Sequence, residues 1–174
     1  MMKAVLDKLS AISMILSLSM LVSGTVIAGP RIAVLNVDLN DFAYLSNTPE
    51  ELSRTASIKP LLEQALKDVG DYEIIFINAQ SEAIENAGAG YFFRFNDVAA
   101  KLAQRFGADW VVVGQHNKSS FLYSDLIVHL INVKTNLLSA IYNIELKGNN
   151  ETVTKRAVRK LATNIFATTQ SHKL

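Results

Sequence analysis

The chain has 174 residues, with 17 Lys and Arg against 16 Asp and Glu, a net charge of +1, and no cysteine. Near-neutrality excludes the electrostatic surplus that nucleic-acid and polybasic membrane-surface binders need, and the missing thiols exclude disulfide staples, thiol catalysis and thiolate metal sites. Residues 29–174 are the length of one ordinary domain able to bury its own core.

Lys3 and Lys8 precede an apolar run from Leu9 to Ile27 that ends in Val26-Ile27-Ala28, the small-residue pattern a signal peptidase cuts. Ser10, Ser13, Ser17, Ser19 and Ser23 dilute the run below what a stably spanning helix favours. Residues 1–28 therefore read as a signal peptide cleaved after Ala28, which leaves 29–174 as a single mixed α/β domain in the periplasm without stable membrane insertion.

Arg31 to Asp38 is a β-branched run that reads as a first strand, and Asp41 to Pro49 reads as a loop. Ile58, Leu61, Leu62, Ala65, Leu66 and Val69 then recur at helical spacing until Gly70, with Pro60 suited to the first turn or to a kink. Tyr72 to Ile77 is the second predicted strand. Residues 79–95 carry Gly88-Ala89-Gly90 and then Tyr91, Phe92, Phe93 and Phe95, aromatics expected to pack beneath a loop. Asn96 is placed as an N-cap for a helix whose apolar face is Val98, Ala99, Leu102, Ala103 and Phe106, closed by Gly107.

Asp109 to Gln115 is the third strand. From Phe121 the sequence alternates, with Leu122, Leu126, Val128 and Leu130 on one face and Tyr123, Asp125, Ile127, His129 and Ile131 on the other. Asn132 to Asn136 supplies a turn and Leu137 to Leu146 the returning strand. Gly148-Asn149-Asn150 then opens a last helix from Glu151 to about Thr168, with Val153, Ala157, Val158, Leu161, Ala162 and Ile165 on one side and Lys155, Arg156, Arg159 and Lys160 on the other. The order β-α-β-α-β-β-β-α implies an α/β fold with a mixed five-stranded sheet, parallel at its start and antiparallel at its end.

Chemistry has few footholds. His116, His129 and His172 are the only histidines, and His129 lies roughly 13 Å along its strand from Asp125, too far for a direct pair. No spacing suits a metal or cofactor, a nucleophile elbow or a phosphate loop. Two polar groups stand out. Asp38 and Asp41 lie at the end of the first strand, where α/β sheets place ligand-facing groups, although turn and capping roles fit them too. Gly148, Asn149, Asn150, Lys155, Arg156 and Arg159 surround a helix start that could hold an anion, while Asn150 as a plain cap and a solvated basic face explain the same residues.

Gly107-Ala-Asp-Trp-Val-Val-Val-Gly114, Lys118, the turn at Val133-Lys134-Thr135, and Gly148-Asn149 ahead of Lys155-Arg156 together resemble an uncharacterised family of exported bacterial proteins, a domain of unknown function. The resemblance implies a lysine in the loop after the third strand, here Lys118, and a Gly-Asn-Thr-Asp-Glu-Ser-Trp segment before paired basic residues. It also implies that some members are encoded beside quinoprotein alcohol dehydrogenases. Asn150 and Glu151 stand where the family usually has threonine and aspartate, Thr154 replaces the tryptophan, and the cysteines many relatives place before the second helix are missing. The strand and helix order is similar to the amino-terminal domain of TolB and to the periplasmic core of the curli channel CsgG. The reading is a non-enzymatic periplasmic accessory protein acting by protein-partner binding, with Lys118 and the 148–159 cluster as contact candidates and an anion-binding protein as the alternative.

Overall fold

The computed structural model describes residues 29–42, 48–120, 122–148 and 150–171. The expected signal peptide at 1–28, and also Phe121, Asn149 and His172, lie outside the described residues. Six strands form one mixed sheet: β1 (Arg31–Val34), β2 (Asp38–Asp41), β3 (Glu73–Ile74), β4 (Trp110–Lys118), β5 (Tyr123–Asn132) and β6 (Leu137–Lys147). Their order is β3-β1-β4-β5-β6, with β2 also paired to β4. The β1, β2 and β3 pairings are parallel and the β4-β5-β6 pairings antiparallel, as the sequence implies.

The first strand differs from expectation in being broken. β1 pairs with residues 110–112 of β4 and β2 with 115–118, so the two lie in line along one neighbour. The interruption is pinned by Glu82, whose carboxylate accepts the Asn36 backbone N–H at 2.9 Å and takes the Lys59 ammonium at 2.8 Å. Asp38 and Asp41 therefore begin and end a strand of their own. The second strand shrinks to Glu73–Ile74.

Helix α1 (Pro49–Val69) starts well before Ile58, because Thr48 caps it, Pro49 takes its first position and Glu50 and Glu51 occupy its first turn. Pro60 accordingly sits inside the helix. Residues 79–95 form two short helices, α2 (Ala79–Glu85) and α3 (Tyr91–Arg94), where a loop was expected. Helix α4 (Asn96–Arg105) follows, but Phe95 holds its cap position without a side-chain bond. The Asn96 side chain instead meets His129 Nδ1 at 3.0 Å, and the His129 ring stacks on Phe93 at 3.8 Å, which makes His129 a tether between sheet and helix layer. Helix α5 (Glu151–Ser171) closes the chain.

Strand alternation feeds two apolar layers. Val34, Val112, Leu126 and Leu130 face α1 and α5, meeting Leu62, Leu66, Leu161 and Ile165. Leu35, Val111, Val113 and Ile131 face the other way and meet Phe92, Leu102 and Ala103. Each fully buried Leu or Ile contributes about 2 kcal/mol of transfer free energy. Leu122, expected to share the inner face with Leu126, lies just outside β5 and is 72% exposed. Among the described residues no helix is long and apolar enough to cross a membrane.

Candidate functional site

Toward the end of β4 the face turned to α1 and α5 changes from apolar to polar. Trp110 and Val112 belong to the core, whereas His116 and Lys118 further along the same face are just as buried. On β5, Ser124 is buried beside them. The first turns of α1 cover this end and supply Glu51, Arg54 and Thr55, residues at helical spacing that share one side.

The groups are used on one another. Thr55 Oγ1 lies 2.7 Å from His116 Nδ1, and Ser124 Oγ lies 3.1 Å from Nε2. A neutral imidazole has one N–H and one bare nitrogen, and a hydroxyl at each side satisfies both whichever tautomer is present. Burial, joined by the nearby Arg54 and Lys118 charges, pushes the His116 imidazole down to about 4. The ring is therefore neutral at physiological pH.

Lys118 Nζ lies 3.1 Å from Glu51 Oε1 and 4.0 Å from Asp41 Oδ2. The other Glu51 oxygen is 3.6 Å from Arg54 Nη1 and accepts no hydrogen bond. In a capping box the glutamate at this position reaches back to the cap residue's N–H; here it points inward to a lysine. Arg54 completes the arrangement by donating from Nε to Thr154 Oγ1 at 2.9 Å and from Nη2 to the Gly148 carbonyl at 3.1 Å. Burial pushes the guanidinium down from its ordinary value while Glu51 pulls it back, and it stays charged. Two carboxylates and two cations thus form a buried quartet of zero net charge that ties β2, β4, α1 and the start of α5 together. A cleft of about 490 Å³ opens beside it, lined by Glu50, Ser53, Ser57, Glu151 and Thr154 among others.

Asp41, Lys118 and Gly148, singled out separately in the sequence, converge here. Lys118 is the last residue of β4 and buried, not in the following loop. Asp38 points to the opposite face, where it accepts the Gly90 N–H at 2.8 Å. Gly148 turns the chain at φ +98°, a region that favours glycine, and Asn150 Oδ1 caps α5 by accepting the Val153 N–H at 2.9 Å. Lys155 bonds to Glu151 at 2.6 Å, and Arg156 and Arg159 stay exposed without an ion-pair partner among the described residues. Glu51, Arg54, Thr55 and His116 are the members sequence reading missed. Thr48-Pro49-Glu50-Glu51, a cap, a proline and a glutamate three residues on, was the signal that could have placed Glu51, Arg54 and Thr55 on a helix. Among the described residues no group of three or more His, Asp or Glu is placed to hold a metal ion.

Around this closed cluster several large apolar side chains stand in solvent. Phe42, 71% exposed, follows β2 and donates its N–H to the Lys118 carbonyl; Leu122 immediately precedes β5 and Tyr123 begins it; Leu52 flanks Glu51.

A fold of this kind is found in solved structures. The chain is similar to TolB from Acinetobacter baumannii, with 17% identity and a TM-score of 0.53, over 82% of this chain and 29% of that one. It is also similar to the LpoB C-terminal domain from Salmonella enterica, at 17% identity and a TM-score of 0.46, over 74% and 90% of the two chains. Lipoprotein GNA1162 from Neisseria meningitidis aligns at 16% identity and a TM-score of 0.48, over 79% and 96%. The TolB likeness establishes a TolB amino-terminal-domain-like α/β fold. The chain spans less than a third of that TolB's length. Residues 30–166 match the family DUF3280, described as a protein of unknown function (DUF2380), and the chain belongs to it. A comparison with curated proteins finds no match.

Proposed function

We propose that this is an exported periplasmic accessory protein, processed after Ala28, that works by binding a protein partner and performs no chemistry of its own. The observation that carries this reading is the end of the sheet, where Phe42, Leu52, Leu122 and Tyr123 are exposed around a quartet whose charges are spent on each other. Exposed aromatic and aliphatic side chains over a rigid, charge-balanced base suit a docking surface. Two settings are open for that partner: envelope assembly, which the likeness of strand order to TolB and CsgG suggests, and a quinoprotein oxidation system, which the family resemblance suggests. Lys118 serves this surface from beneath, by holding β4 to α1, while Arg156 and Arg159 on α5 supply an exposed basic flank. The anion-binding alternative draws less support, because Asn150 already caps α5 and Lys155 is bonded to Glu151.

Affinity capture from periplasmic extract with the wild-type chain and with the double variant Phe42→Ser, Leu122→Ser tests the reading. A partner recovered by the wild type and lost by a variant of unchanged melting temperature is expected. Equal recovery by both would reject this surface.

A further inference from the structure

The other face of the same part of the sheet is a separate surface. Strand register aligns its residues into rows that cross four strands, one row being Asp38, Gln115, Ile127 and Asn143, and the next Asn40, Asn117, Asp125 and Glu145. All but Ile127 carry an amide or a carboxyl group, and every one is half-buried or exposed. Helix α4 covers the apolar part of this face around Val111, Val113 and Ile131. Within the second row, Asn40 Nδ2 donates to Asn117 Oδ1 at 3.3 Å and Asn117 Nδ2 to Asp125 Oδ2 at 3.3 Å, which fixes the amide planes in sequence.

The first row runs into a pocket of about 330 Å³ between β2, β4 and α3, lined in part by Asp38, Gln115, Gly90, Phe93 and Arg94. Gly90 has φ +72°, and a Cβ there would stand 2.7 Å from Gln115 Nε2, so glycine both permits the backbone and leaves room for the amide. Among the described residues neither the Gln115 carboxamide nor the Arg94 guanidinium has a hydrogen-bond partner. Asp38 uses one of its two oxygens on the Gly90 N–H.

We propose that the two rows and the pocket at their end bind an extended, uncharged saccharide chain. Neighbouring strands lie about 4.8 Å apart, so the second row presents a planar polar group at a repeat close to one sugar unit of an extended β-1,4-linked chain, and the first does so on every strand but that of Ile127. Amides offer both donor and acceptor and carboxylates two acceptors, the combination that meets pairs of hydroxyls, and the Phe93 ring supplies an apolar wall. An anionic polymer would instead meet Asp38, Asp125 and Glu145, with Arg94 and the Glu145-paired Lys147 as the cations nearby. An apolar peptide would find Ile127 as the single apolar residue in the rows.

Titrating the full chain with cellotetraose while following side-chain amide signals by nuclear magnetic resonance tests this. Shifts confined to Gln115, Asn117, Asn40 and Asn143 are expected, with Gln115→Ala and Asn117→Ala each weakening the dissociation constant about fivefold, as loss of one net hydrogen bond implies. Asn143→Ala, on the exposed face of β6, carries the same test should Asn117→Ala fail to fold. No shift at millimolar cellotetraose, equal affinity in folded variants, or the same shifts with tetra-alanine or inorganic pyrophosphate would overturn the proposal.

Discussion

Acidification should destabilise this protein through His116. The imidazole is fully buried between two hydroxyls and holds a folded-state value of about 4 against an ordinary 6.5. Because the folded value is the lower one, the unfolded chain takes up the proton first, and stability falls as pH drops. The contribution is complete above the unfolded value and is lost progressively down to the folded one. The full span is about 3 kcal/mol, since each tenfold difference in proton affinity between the two states is worth roughly 1.4 kcal/mol. Between about pH 7 and about pH 5, a window above most carboxylate titration, the loss from this residue alone is about 2 kcal/mol. The assay is urea unfolding at a series of pH values for the wild type and for His116→Gln. His129, which burial also pushes down, remains in both and cancels in the comparison. The wild type should lose about 2 kcal/mol more than the variant across that window. Parallel curves would refute the assignment of a neutral, buried His116.

Lys118→Met should cost about 3–5 kcal/mol in the same unfolding assay, because it leaves the Glu51 and Asp41 carboxylates buried without their shared cation; a change under about 1 kcal/mol would mean the quartet is hydrated. Asn150→Ala should cost about 1 kcal/mol through the lost helix cap. Reversing Arg156 and Arg159 together should shift stability by less than about 1 kcal/mol, since both are exposed, so that loss of captured partner in that variant would mark α5 as part of the contact. Mass spectrometry of the exported protein should give Gly29 as the first residue; recovery of the full-length chain with membranes would replace processing with anchoring.

The sheet and its outer helices were legible because their signals are periodic. Leu126, Val128 and Leu130 alternate as a half-covered strand must, and Ala157, Val158, Leu161 and Ile165 repeat as one helical face, so β5 and α5 followed directly. The break between β1 and β2 was hidden because nothing local announces it: the bond that satisfies Asn36 comes from Glu82, 46 residues away. The start of α1 was missed for a different reason. Glu51, Arg54 and Thr55 are polar residues on the buried side of a helix, and a search for apolar spacing passes over them. The quartet was consequently visible only in pieces, as Asp41 and Lys118, with Gly148 beside it and the two α1 members, Glu51 and Arg54, absent. Asn96 failed as a cap because its side chain serves His129, a choice made by tertiary contact.

The sheet order also governs when the molecule can become stable as its chain arrives. β1 finds no neighbour until residues 73–74 and 110–112 are present, and the apolar side of α1 finds its helical neighbour only in α5, the last element. Arg54 likewise donates to groups 94 and 100 residues further on. Such distant pairings must be closed before they repay the entropy lost, which slows folding. Full stability therefore waits for the last helix, and a truncation that removes α5 leaves Ile58, Leu62 and Leu66 packed against the sheet alone, with the helical half of their cluster gone.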